Sequence, residues 1–371
     1  MLKKIIGFID DVGKGINTHT LDTGCGGSET WIIKLAYQFV QRDYHVIIFS
    51  NVTAHEISSN HIEYVPVNLL INRIQYQHFD HIFIMRRFTQ NIIDMIKNAN
   101  CCDHLYLVAH DIRLWKDGYD NELNYIINDE TNVLSYYRDI ASNEWYKEHI
   151  HNIFFMSDFH KQFNEEFYPE EFCKIIGNGI DINEIDYTEN ERDNNMLWSS
   201  CYERGLEMFV DKIMPFIKER IPEFKLYCAS YNENFPDKYN DREDIINLGS
   251  LNKVELYNEM KKHKAWFLPL TQWETFCITV LEQILNNVNI SIQYKYGIKT
   301  SLKYFKSLCL GDADYENEEY CKYVANDIVD KIINYDSYGE IRDILRSYIS
   351  DNYSWEAIAN KIHSILIRYE A

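Results

Sequence analysis

Short runs of apolar, β-branched residues alternate along the whole chain with longer segments of helical period. Twelve of these runs read as strands: Lys4–Ile9, His45–Ser50, Ile62–Val65, His81–Met85, Leu105–Ala109, Ile153–Met156, Cys173–Ile176, Met196–Ser199, Phe224–Ala229, Ile245–Leu248, Ala265–Leu270 and Ile290–Gln293. Runs that are apolar on both faces, and joined by helices, describe parallel sheets whose faces are covered by those helices. Between the first two strands, Ile32, Leu35, Ala36, Phe39 and Val40 fall on one helical face. A second helix carries Met208, Phe209, Ile213, Phe216 and Ile217 and ends at Ile221–Pro222. The predicted fold class is therefore α/β, with two Rossmann-like parallel-sheet domains. The boundary falls near Pro169–Asn178, giving domains of 1–172 and 173–353, and an amphipathic helix over 354–371 crosses back to the first. Two open sheets facing one another place a central cleft at the carboxyl ends of their strands, where ligands of this class bind.

Charge and cysteine usage narrow the function classes. With 37 basic and 57 acidic residues the formal net charge is −20. That excludes a sequence-independent nucleic-acid binder, which needs concentrated basic surface, and argues against a polybasic lipid-docking patch. A small anion stays compatible, because one basic residue and a helix N-terminus can hold a phosphate locally. Nine scattered cysteines without a C-x-x-C pair point to a reduced, cytoplasmic compartment rather than a zinc site or disulfide framework. The start of the chain lacks the pattern of a signal peptide, and no run reaches the roughly 18 apolar residues that a spanning helix needs. No membrane segment is expected.

Two stretches carry candidate chemistry. The first loop, Asp11 to Gly27, is rich in glycine and leads into a helix, with Ser28 expected as its N-cap. It matches neither the P-loop nor the dinucleotide fingerprint. Gly26 and Gly27 let backbone amides approach a ligand closely, although the same loop serves equally as a plain connection before a helix. In the second half, Ala265–Leu270 leads through Thr271-Gln-Trp-Glu274-Thr275 into Phe276-Cys-Ile-Thr-Val-Leu-Glu282. Glu274 lies in the loop at a helix mouth. Glu282 follows after seven intervening residues, among the apolar Ile278, Leu281 and Leu285. A buried carboxylate there suits hydroxyl donors such as those of a sugar, and the amides of Thr275 and Phe276 would be open to a phosphate.

The run Glu274-Thr-Phe-Cys-Ile-Thr-Val-Leu-Glu282 resembles the E-x7-E signature of retaining GT-B glycosyltransferases of family four, the glycosyl transferases group 1. Further matches follow in that family's order: Gly26-Gly27-Ser28-Glu29, Val108-Ala-His110-Asp111, Phe155-Met-Ser157-Asp158-Phe159-His160, Gly177-Asn178-Gly179-Ile180-Asp181, and Ser199 to Leu206 around Arg204. They span about residues 5 to 290. The resemblance implies a nucleotide-diphosphate-sugar site in the second domain, UDP- or GDP-linked, with Glu282 on the ribose hydroxyls and Arg204 on the diphosphate. Gly26, Gly27, Thr275 and Phe276 would lend amides, Ser199, Gly249 and Leu251 would line the donor site, and Glu274 would hold the transferred sugar. His110 would contact that sugar from the first domain. Arg86, Arg87 and Asp111 sit on the side where an acceptor would enter. His110 taken alone reads as an ordinary strand-end histidine, Arg204 as a surface residue, and the Arg86–Arg87 pair as a solvated loop pair.

The implied reaction moves a sugar to a hydroxyl of a glycan, lipid-linked or protein-linked acceptor, with retained configuration and without a metal or other cofactor. Three departures from the family pattern stand out. Only Arg204 is a clear basic residue for the diphosphate, with Lys212 a poor second. Cys277 replaces the usual glycine, and the segment Asn289–Gly297 is degenerate. Two other functions fit the same residues: another GT-B enzyme, such as a nucleotide-sugar epimerase or an inverting transferase, and a non-catalytic nucleotide-sugar-binding scaffold.

Overall fold

The computed structural model describes residues 3–22, 25–86, 90–110, 150–164, 170–185, 191–230 and 235–370. They form two compact units. The first comprises Met1–Leu21, Gly26–Asn178 and Ile358–Ala371, and the second Asp22–Cys25 and Gly179–Ala357.

The first unit holds an eight-stranded sheet: β1 (Ile5–Asp10), β2 (His45–Ser50), β3 (Glu56–Ile57), β4 (Ile62–Pro66), β5 (Phe79–Met85), β6 (Cys102–Val108), β7 (Ile150–Phe155) and β8 (Cys173–Ile175), in the order β3-β4-β2-β1-β5-β6-β7-β8. Every pairing is parallel except that of the two-residue β3 with β4. The side chains explain the arrangement: Ile6, Phe8, Val46, Ile47, Ile48, Phe83 and Ile84 are wholly buried, so both faces of the central strands are covered. The second unit holds β9 (Asp193–Trp198), β10 (Leu226–Ala229), β11 (Ile245–Gly249), β12 (His263–Leu268) and β13 (Asn289–Ile292), all parallel, in the order β11-β10-β9-β12-β13. All twelve runs read as strands are strands, with ends shifted by up to three residues. The edge strand β3 has too short an apolar run to be read from sequence.

Both sheets wind outward from an inner strand. The chain leaves β1 to one side through β2 and β4, and returns to pair β5 on the other; β9 stands in the same relation to β10 and β12. The carboxyl ends of β1 with β5, and of β9 with β12, are thus switch points, where diverging loops leave room for a ligand.

Local backbone geometry sets how the helices begin there. The first helix is Gly27–Val40, and its N-cap is Gly26 rather than Ser28. Gly26 C=O accepts from Thr30 N–H at 3.1 Å and from Thr30 Oγ1 at 2.9 Å, which starts the helix two residues earlier than expected. Helix Ile278–Leu285 is entered through Cys277, whose φ of 67° lies in the left-handed region. That conformation suits glycine and costs a residue bearing a Cβ about 1 kcal/mol. In the run Gly177–Asp181, a Cβ on Gly179 would lie 2.2 Å from Cε3 of the buried Trp355. Next to it, Ile180 N–H donates to Tyr353 C=O at 2.7 Å.

Two stability predictions follow from these backbone sites. Gly179→Ala forces apart a packed glycine and tryptophan, and should lower the stability of the second unit by about 2–3 kcal/mol. Urea unfolding followed by tryptophan fluorescence measures this, and a shift within error would mean that Trp355 moves aside freely. Cys277→Gly should raise stability by about 1 kcal/mol while Cys277→Val lowers it, because valine tolerates positive φ least. Equal stabilities for the two variants would refute the strain at Cys277.

Candidate functional site

In the second unit, β9 ends in a tight turn, Tyr202–Arg204, followed by Gly205 at φ 107°. A side chain at Gly205 would come within 2.7 Å of Pro269 Cγ, so glycine permits both the turn and its close approach to the loop after β12. Because β9 and β12 are neighbours, Arg204 and Glu274 leave adjacent strand ends and meet as an ion pair, Arg204 Nη1 on Glu274 Oε2. The other oxygen, Glu274 Oε1, accepts the amides of Phe276 at 3.3 Å and Cys277 at 3.1 Å. The Phe276 amide, expected to be open to a phosphate, therefore serves Glu274 here. Glu274 C=O accepts from Gly297 N–H at 2.9 Å, and a Cβ on Gly297 would sit 2.4 Å from Thr275 C=O oxygen. Gly297, in the degenerate segment, thus braces the loop that carries Glu274 and Thr275.

One helix deeper lies Glu282, 4% exposed. Its Oε1 takes the Lys253 ammonium, and the Tyr257 hydroxyl at 3.3 Å. Lys253 and Tyr257 belong to helix Lys253–Met260, whose start is locked by a reciprocal capping box between Asn252 and Glu255. Burial alone would discharge Lys253, but the Glu282 charge and hydrogen bond outweigh it and raise its pKa. Burial, reinforced by the same carboxylate, pushes the Tyr257 phenol well above its ordinary value. Gly249 and Leu251 precede this helix; Gly249 has φ 69° and open space where a Cβ would stand. Ser199 Oγ accepts from Gln283 Nε2 at 3.0 Å. Lys212 pairs instead with the exposed Glu316.

In the first unit, a second polar group gathers at the ends of β1, β5 and β6. Asp10, wholly buried, accepts Gly13 N–H at 3.0 Å, and burial raises its pKa despite that bond and the charge of Arg86. Arg86 follows β5 with φ 64° and pairs with Glu29 Oε1 at 3.2 Å, in the first turn of the glycine-started helix. His110 follows β6 and meets the Trp31 ring edge-on at 5.3 Å. Burial, then the charges of Arg86 and His160, push its pKa down to about 3, so His110 is a neutral imidazole at any ordinary pH. Gly26 and Gly27 open the helix beside this group. Arg87 and Asp111 lie outside the described residues.

Each unit thus brings its own candidates together: Arg204, Glu274, Thr275, Phe276, Ser199 and Glu282 in the second, and Gly26, Gly27, Arg86 and His110 in the first. Sequence reasoning missed Lys253, Tyr257, Asp10 and Glu29 as members of these groups. A capping pattern, Asn252 to Glu255, announced the helix of the first two; nothing local announced its partner in Glu282.

No protein-family model matches the chain, and no curated protein does. Solved structures do match. HepE of Anabaena in complex with UDP-glucose aligns with a TM-score of 0.66 at 14% identity, covering 98% of this chain and 99% of that one. A glycosyltransferase from Rickettsia africae aligns at 0.69 and 13% identity over 99% of both chains. WaaG, a glycosyltransferase involved in lipopolysaccharide biosynthesis, aligns at 0.59 and 11% identity, covering 94% of this chain and 99% of that one. At such identities the likeness establishes architecture: the chain has the α/β fold of the GT-B glycosyltransferases, built of Rossmann-like parallel-sheet units.

Proposed function

We propose that the protein is a retaining, metal-independent glycosyltransferase that moves a sugar from a nucleoside diphosphate, UDP- or GDP-linked, to an acceptor hydroxyl. The acceptor is a glycan, free or carried on lipid or protein. The observation that carries this reading is the Arg204–Glu274 pair at the β9–β12 switch point, with buried Glu282 in the helix below it. A cation, an anchored carboxylate and a deep hydroxyl acceptor on one unit match the three parts of a nucleotide sugar: diphosphate, sugar and ribose. The fold is shared with HepE, whose structure holds UDP-glucose.

Departure of a nucleoside diphosphate leaves developing negative charge on the phosphate and positive character at the anomeric carbon. The Arg204 side chain is 39% exposed, so its guanidinium charge can act on a diphosphate beside Glu274. Glu274, fixed by two backbone amides and Arg204, would orient sugar hydroxyls as an acceptor of hydrogen bonds. His110 is held neutral, so its part would be to orient a hydroxyl and not to supply charge. Arg86 is engaged by Glu29, which favours a hydroxyl-bearing over an anionic group on that side.

The reading is tested by incubating the protein with a panel of UDP- and GDP-sugars and following release of nucleotide in the presence of glycan acceptors. Turnover is expected with at least one donor; absence of both binding and turnover with every donor would sink it. Arg204→Ala should lower kcat by about 100-fold, as expected for losing a donor aimed at developing charge, with Arg204→Lys intermediate. Glu282→Ala should instead weaken nucleotide affinity by at least about tenfold.

His110 generates a separate expectation about pH. The unfolded chain protonates it near pH 6.5 and the folded chain only near pH 3. The folded state therefore binds fewer protons in that window, and stability falls as pH drops from about 6.5 towards 3. His110→Gln should flatten this part of the stability–pH curve. The rate profile of the wild type should carry no ionisation of His110 between pH 5.5 and 8, and a step near 6.5 that His110→Gln abolishes would contradict the neutral assignment.

A further inference from the structure

The hydrogen bonds of Glu282 fall unevenly on its two oxygens. Oε1 accepts from both Lys253 Nζ and Tyr257 Oη. A carboxylate oxygen offers two lone pairs, so these donors fill Oε1. No donor among the described residues reaches Oε2, whose two lone pairs remain for a ligand. The two donors stand four residues apart on helix Lys253–Met260 and so share one face. Tyr257 is 2% exposed, and the capping box holds the helix start from which Lys253 reaches. The donor geometry is therefore set before any ligand arrives.

We propose that Lys253 and Tyr257 are positioning residues that occupy Oε1 of Glu282 and leave Oε2 to a vicinal pair of hydroxyls, so that the site selects ribonucleoside over 2′-deoxyribonucleoside diphosphates. The proposal rests on the reading above, in which Glu282 receives the ribose. Two hydroxyls on adjacent carbons match two lone pairs on a single oxygen. A 2′-deoxy ligand covers the carboxylate but leaves one of those lone pairs unmet, at a cost of about tenfold in affinity. Without Lys253 or Tyr257 the carboxylate is free to rotate and to take water on Oε1, so the missing hydroxyl is felt less.

Isothermal titration of the full chain with UDP, GDP, dUDP and dGDP tests this. The preferred ribonucleotide should bind the wild type about tenfold more tightly than its deoxy counterpart. Tyr257→Phe and Lys253→Met should bring that ratio towards one, and Lys253→Arg should restore much of it. Tyr257→Phe keeps the buried ring and carries the test if Lys253→Met fails to fold, as judged by circular dichroism. Equal wild-type affinities for ribo and deoxy forms would overturn the proposal, as would variants that weaken both forms by one common factor. The wider reading fails differently, by the wild type binding no nucleoside diphosphate at millimolar concentration.

Discussion

Parallel pairing of strands outward from an inner one is the constraint from which both groups of candidate residues arise. In a parallel sheet every strand ends at the same edge. Where the winding direction reverses, two adjacent ends send their loops to opposite sides. In the second unit those ends belong to β9 and β12, and they deliver Arg204 and Glu274 to each other although 69 residues lie between them in sequence. In the first unit, β1 and β5 deliver Asp10 and Arg86 by the same geometry. The Arg204–Glu274 ion pair and the approach of Arg86 to Asp10 are consequences of the winding; no local sequence pattern is needed to create them.

Close backbone approach is the second requirement, and it explains residues that carry no chemistry of their own. Gly205 lets the Arg204 turn lie against Pro269, Gly297 lies against the Thr275 backbone, and Gly179 lies under Trp355. Cys277 departs from this pattern. It occupies a left-handed position with a Cβ present, at the residue where the resembled family has glycine. Its thiol is buried, and burial pushes its pKa far up, so it is held protonated. Its neighbourhood accommodates the strain because Glu274 holds its amide and the helix continues directly beyond it.

Electrostatics then divides the two groups. In the second unit two cations and two carboxylates meet: Glu274 takes Arg204 on one oxygen and two backbone amides on the other, and Glu282 takes Lys253 and Tyr257 on one oxygen. In the first unit Arg86 is shared among acids, and His110 has lost its charge to burial. Against a net charge of −20, attraction of any anionic ligand must come from near groups, because salt screens the remote acids beyond about 10 Å.

The strands, the two-sheet organisation, the glycine loop and the Glu274–Glu282 spacing were legible in the sequence, because each depends on residue type and on spacing within one element, whereas Arg204 and His110 became candidates only through the family resemblance. Apolar runs of four to six residues can be satisfied only inside covered sheets, and the E-x7-E spacing is carried by a single loop and helix. What the chain could not reveal was pairing across elements. Lys253 meets Glu282 across 28 intervening residues, Arg86 meets Glu29 from another strand end, and Ser28 loses its expected capping place to Gly26. Only tertiary structure decides these, because a hydrogen-bond partner is selected by which strand ends and helix faces come to lie side by side, and that juxtaposition follows from sheet order rather than from proximity along the chain.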